Sequence, residues 1–117
     1  MTRVLLVDDD RDLLQALGAL FQLHGFEVVY ATDGVTALAQ AQRTSPDLII
    51  TDWEMPRLDG IKLCRSLRAL GRFANVPLVL TSGKEAPEGA RVWDLFLRKP
   101  INFLLLRPVI RRAVGSA

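Results

Sequence analysis

The chain has 117 residues, one domain's worth, and at that length a single core buries about two-thirds of the unfolded surface. Half of the residues are apolar and 24% are charged, which excludes a disordered chain, and the lone Cys64 excludes an internal disulfide. The net charge is only +2, no apolar run approaches the roughly 18 residues of a membrane span, and Met1-Thr2-Arg3 turns acidic too soon for a signal peptide.

Val4-Leu5-Leu6-Val7 is a short apolar run bounded by charge, the pattern of a strand buried on both faces. Leu13, Leu14, Leu17, Leu20 and Phe21 then fall on one helical stripe, with Asp10 and Asp12 at its positive N-terminal end and Gly25 as the stop. Val28-Val29-Tyr30 predicts a second strand. Asp33-Gly34 turns the chain into a helix carrying Ala37, Leu38 and Ala41, which must end before Pro46. Leu48-Ile49-Ile50-Thr51 predicts the third strand. Beyond a loop with Pro56 and Gly60, a helix carries Ile61, Leu63, Cys64, Leu67 and Leu70. Leu78-Val79-Leu80 and Leu95-Phe96-Leu97 predict strands four and five. A last helix should begin near Asn102, a competent N-cap, and run to about Val114.

Short buried strands alternating with helices describe an α/β fold: a doubly wound, five-stranded parallel sheet of order 2-1-3-4-5, flavodoxin-like, with helices on both faces. In such sheets the working site lies beyond the carboxyl ends of the strands. That rule selects Asp8 and Asp9 after the first strand, Asp52 after the third, Thr81 after the fourth and Lys99 after the fifth. Charge is divided along the chain in the same sense. Residues 1–56 carry three basic and nine acidic side chains, net −6, and residues 57–117 carry twelve and four, net +8. The crowded Asp8, Asp9, Asp10 and Asp12 repel one another unless a cation answers them. The arginines of the second half are scattered, which reads as a solvated basic surface and not as a nucleic-acid face.

Carboxylates without His or Cys suit a hard, oxygen-liking cation, Mg²⁺ before Ca²⁺ or Zn²⁺. Such a site is incomplete until a phosphoryl group fills it. Lys99 supplies a second positive charge and Thr81 a hydrogen-bond donor, and a carboxylate attacking phosphorus would yield an aspartyl-phosphate.

Val7-Asp8-Asp9-Asp10, the run Pro46 to Pro56 with Asp52 and Glu54 in it, Asp59-Gly60, Leu80-Thr81-Ser82 and Lys99-Pro100 together resemble the receiver domain of bacterial two-component response regulators, from Arg3 to about Val114. The resemblance implies that Asp52 is the phospho-acceptor. It implies Mg²⁺ as cofactor, held by Asp9, Asp52 and the backbone carbonyl of Glu54, with Asp8 acting through water. Thr81 matches the switch hydroxyl, Lys99 the phosphoryl-binding lysine, and Phe96 the aromatic that turns inward as Thr81 is drawn to the phosphoryl group. Pro100 matches the proline after a cis peptide bond. The implied partners are a sensor histidine kinase or phosphotransfer protein and a downstream protein target, with a homodimer allowed and neither nucleic acid nor membrane contacted directly. The expectation is a cytoplasmic receiver spanning 1–117 without an output domain. It is a switch and not an enzyme, catalysing only its own phosphorylation and dephosphorylation.

Other conspicuous residues have plainer expectations. Asp10 and Asp12 read as helix-start residues, Asp59-Gly60 as a helix cap, His24 as surface, Cys64 as core, and Trp53 as a neighbour of the acceptor that shapes access. Two stretches depart from the receiver pattern. Thr81 and Lys99 lie closer together than receivers place them, and Gly83, Pro87 and Gly89 oppose a helix between them. The helix expected there is therefore short or irregular, at most Ala90-Arg91-Val92-Trp93, and the stretch 83–93 is the least ordered. Pro108 should kink the last helix or move its start toward residue 107. Phe103-Leu104-Leu105-Leu106 cannot all point inward from one helix, so some are exposed or form an interface. Two other readings compete with the switch. One is a Mg²⁺-dependent phosphohydrolase working through an aspartyl-phosphate, with Glu54 where such enzymes place their acid. The other is an interaction module that is never phosphorylated.

Overall fold

Val4-Leu5-Leu6-Val7 does lie deep in the sheet, its four side chains at most 2% exposed. A computed structural model describes residues 1–89 and 91–116 of the chain. The strands are β1 (Arg3–Val7), β2 (Glu27–Ala31), β3 (Leu48–Asp52), β4 (Leu78–Ser82) and β5 (Leu95–Arg98). All pairs are parallel and the order is β2-β1-β3-β4-β5, the expected doubly wound sheet. Strand alternation splits the core in two. Val4, Leu6, Leu48, Ile50 and Val79 pack with Leu14, Leu17 and Phe21 of helix α1 (Arg11–Leu23). Leu5, Val7, Ile49, Leu78 and Leu80 pack with α2 (Gly34–Thr44) and α3 (Gly60–Ala69) through Ala37, Ala41, Leu63 and Leu67. Leu20 and Leu70, placed on the buried stripes by periodicity, lie at their edges and are about two-fifths exposed.

Aspartates start the helices. Asp10 caps α1 by accepting the amides of Asp12 and Leu13, Asp33 caps α2 through Thr36, and Asp59 caps α3 through Lys62. Cys64 is fully buried in the core, and burial pushes its thiol up to about 12, so it stays protonated and packs as a small apolar side chain.

Both departures from the pattern leave their mark. Among the described residues between β4 and β5 there is no helix: residues 91–93, where a short one was expected, are irregular, and Ala90 lies outside the described residues. Gly83, Pro87 and Gly89 deny a helix its donors and its stiffness, and the crossover is held from outside. Arg68 of α3 donates to the carbonyls of Phe73 (2.6 Å), Val76 (2.9 Å) and Val92 (3.2 Å), and pairs with Asp94 at 2.8 Å. Asp94 in turn accepts the Leu78 amide, and Trp93 is buried against the α2–α3 side of the core.

The last helix is not continuous from Asn102. Asn102 caps a 3₁₀ turn, Phe103–Leu106, and only then does α4 (Arg107–Ser116) begin. Pro108 is its second residue, where a missing N–H costs no helical bond. The break also divides the apolar run: Leu106 is buried, Phe103 half-buried, and Leu104 and Leu105 are 65% and 54% exposed. Phe103 rests on Phe21 and His24 at the C-terminal end of α1, while Arg112 reaches the Asn75 carbonyl and Asp94 at the start of β5. This segment therefore lies toward the amino-terminal ends of the strands, away from the acidic edge.

Candidate functional site

Asp8 directly follows β1, and its Oδ1 accepts the Asp10 amide at 2.9 Å. That bond and the Asp10 cap fix the turn into α1, leaving Asp8 buried at 4% exposure and Asp9 exposed. Asp52 ends β3 at 5% exposure, beside Thr81 in the β3–β4 register. Trp53 donates its amide to the Thr81 carbonyl, and Gly60 its own to the Trp53 carbonyl, so the loop after β3 folds back tightly. A side chain at position 60 would stand 2.1 Å from the Asp52 carbonyl, which leaves room for glycine alone. Lys99 is placed by its amide, which donates to the Ser82 carbonyl at 2.8 Å, and the Lys99–Pro100 peptide is cis as expected.

These elements bring Asp8, Asp9, Asp52 and Lys99 together. Carboxylate oxygens of the three aspartates lie within 4.8 Å of one another. The Lys99 ammonium donates to Asp8 Oδ2 at 2.8 Å and stands 3.3 Å from Asp52 Oδ1. Burial of Asp52, reinforced by the charge of Asp8 and only partly offset by Lys99, pushes its carboxyl up to about 6. For Lys99, burial alone would lower the pKa. Its hydrogen bond to Asp8 and the charges of Asp52 and Asp8 outweigh that and raise it, so the ammonium is held charged.

One ammonium does not neutralise three carboxylates. Asp52 Oδ1 is buried and lacks a hydrogen bond of good geometry. Oxygen ligands only, excess negative charge and a buried oxygen met only by the Lys99 ammonium at 3.3 Å form a set that fits a hard divalent cation. The acidic cluster can hold a metal ion.

The remaining candidates lie around this centre. The Thr81 hydroxyl is fully buried and donates to the Thr51 carbonyl at 3.4 Å, a long bond. Phe96 is half-buried in β5 and packs on the α2–α3 side of the core. Glu54 is exposed, and its carboxylate accepts the Ser82 hydroxyl at 2.6 Å and 3.1 Å. Ser82 stands in the Leu80-Thr81-Ser82 run, yet its pairing with Glu54 depends on the loop after β3, which no spacing in the sequence specifies. Asp10, Asp12, Asp59 and His24 take no part in the cluster.

A family model described as "Response regulator receiver domain" matches residues 4–110. The chain belongs to the response regulator receiver family. This receiver is 38% identical to the response regulator MprA of Mycobacterium leprae, over 94% of its own length and 51% of that protein. It is 44% identical to the transcriptional regulatory protein PrrA of the same organism, over 72% of its own length and 35% of that one. The receiver thus spans about half of the first relative and about a third of the second. Among solved structures it is similar to the chemotaxis protein CheY4 of Vibrio cholerae, with a TM-score of 0.85, 32% identity and 97% and 98% of the two chains covered. It is also similar to the receiver domain of Francisella response regulator 1452, with a TM-score of 0.87, 30% identity and all of both chains covered. No helix among the described residues is long and apolar enough to cross a membrane.

Proposed function

We propose that this receiver accepts a phosphoryl group on Asp52 from the phosphohistidine of a sensor kinase or phosphotransfer protein, in a Mg²⁺-dependent reaction. It then passes the signal to a protein target. The observation that carries this reading is the convergence of Asp8, Asp9 and Asp52 within 4.8 Å, bridged by Lys99 and left short of positive charge. A carboxylate oxygen of Asp52 attacks phosphorus and the donor's P–N bond breaks. The donor imidazole, already protonated on its other ring nitrogen, takes the P–N bonding pair and leaves neutral, and the product is an acyl phosphate.

Asp9, Asp52 and the main-chain carbonyl of Glu54 would hold Mg²⁺, with Asp8 acting through water. When bound, the ion supplies the positive charge that phosphoryl oxygens require. Lys99 is the protein's own cation for the same oxygens. Asp8 orients it through the 2.8 Å bond, so the ammonium is in place before the phosphoryl group arrives. The long Thr81–Thr51 bond is weak, so the hydroxyl gives up little when it turns to a phosphoryl oxygen. Phe96 then follows into the space it leaves, and the moved surface is read by the partner. The chain acts on itself alone, turning over no other substrate, in the cytoplasm where such donors are made.

Incubation with phosphoramidate, read by intact mass, tests the proposal. One phosphoryl group should be gained with Mg²⁺, and none in EDTA or in Asp52→Asn. An undiminished gain in Asp52→Asn ends the assignment.

A further inference from the structure

Helix α4, RPVIRRAVGS, carries three arginines and no acidic residue. Arg112 is engaged with Asp94 and Asn75, but exposed Arg107 and Arg111 make no ion pair among the described residues. They stand one helical turn apart and border an open groove of about 400 Å³, whose other walls are His24, Phe103, Leu104 and Ile110. The floor is set firmly: the Phe103 ring lies 5.1 Å from Phe21 edge-on and 4.8 Å from His24. The groove exists because the 3₁₀ turn breaks the helix before Pro108, burying Leu106 and leaving Leu104 at 65% exposure.

An apolar strip flanked by two uncompensated cations is complementary to one shape and one charge. A helix presenting aliphatic side chains at i, i+3, i+4 and i+7 fills such a strip, and carboxylates on its flank answer the guanidinium groups. A polynucleotide would gain nothing from Leu104 and Ile110, and the groove's lining would offer its phosphates Arg107 and Arg111 as cations.

We propose that this groove, between the C-terminal end of α1 and the last helix, binds an acidic amphipathic helix of a partner protein. Side chains of that helix seat against Phe103, Leu104 and Ile110, and its carboxylates pair with Arg107 and Arg111. The groove is open in the unmodified chain, at the opposite end of α1 from Asp8. Binding there is therefore separate from phosphoryl acceptance and is measured without phosphodonor.

The probe is a fluorescein-labelled helical peptide with leucines at i, i+3, i+4 and i+7 and glutamates elsewhere, titrated with the whole chain and followed by anisotropy. Saturable binding is expected, weakened about tenfold or more in the Arg107→Glu/Arg111→Glu variant. Leu104→Ser should weaken it also, and circular dichroism of each variant confirms that it is folded. A peptide with lysines in place of glutamates should regain binding to the charge-reversed variant. Four results would overturn the proposal: no binding of the acidic peptide, equal binding of a scrambled peptide, tighter arginine-dependent binding to duplex DNA or phosphatidylserine vesicles, or sedimentation showing the Leu104 face closed by a second copy.

Discussion

Asp52 carries the electrostatic tension of the site. Burial, reinforced by the charge of Asp8, pushes its carboxyl up to about 6 from the ordinary 3.8. Between those values the native state binds more protons than the unfolded state. The contribution of Asp52 to metal-free stability is therefore undiminished below about pH 4, falls as pH rises through 6, and stays at the lower level above. Asp52→Asn removes the penalty. In EDTA at pH 7 its melting temperature should exceed that of the parent by several degrees, on the order of 1–2 kcal/mol, with the difference vanishing near pH 4. Crowding at the sheet edge was legible from the charges that follow strands one and three. How it is shared was not, because Asp8 and Asp9 are neighbours in sequence. The turn sealed by the Asp10 amide buries Asp8 and leaves Asp9 in solvent, so Asp9→Asn should give a smaller gain than Asp52→Asn. The Ser82–Glu54 pair was equally hidden, since it joins two segments only through their tertiary placement.

At the scale of elements, the strands are legible to within two residues at either end, because strands of a covered parallel sheet are short, unbroken apolar runs. The crossover after β4 was half legible. Gly83, Pro87 and Gly89 signalled the loss of a helix, but nothing local pointed to Arg68, far upstream, as its replacement. Arg68→Ala should destabilise the domain by about 2–3 kcal/mol, since it strips several carbonyls and Asp94 of one shared donor. Arg68→Lys should recover little, a point charge being unable to reproduce the fork. Urea denaturation measures both. Among the described residues, no main-chain amide of 85–93 donates a hydrogen bond to another described residue. Amide exchange at 85–89 and 91–93 should accordingly be far faster than in β3, and should slow when Mg²⁺ and beryllofluoride are added. Exchange as slow as in β3 and unresponsive to both would remove this segment from the switch route.

Across the whole molecule, the acidic cluster and the groove beside α4 lie at opposite ends of the strand axis. The acidic cluster sits beyond the carboxyl ends of the strands, and the arginines of α4 lie toward the amino ends. The division of charge in the sequence, an acidic first half and a basic second half, is not this one, since Lys99 of the second half joins the acidic cluster. Nor does it show where the last helix is seated, which comes from the Phe103 contacts with α1 and the Arg112 contact with Asp94. A cation that binds only the folded receiver stabilises it by mass action. Mg²⁺ at a hundredfold excess over its Kd should add about 2.7 kcal/mol to the parent, and clearly less to Asp9→Asn or Asp52→Asn. Thermal melts with Mg²⁺ or EDTA read this directly, and an equal gain in all three proteins would place the ion elsewhere.

The most direct test of phosphoryl acceptance is to trap its product. An acyl phosphate on an aspartate is reduced by borohydride to homoserine, whereas a phosphate ester on Thr81 or Ser82 is not. After phosphoramidate and Mg²⁺, reduction and tandem mass spectrometry should find homoserine at position 52 and nowhere else. Homoserine at position 8 or 9, or a phosphate surviving on Thr81 or Ser82 with Asp52 unchanged, would contradict the account.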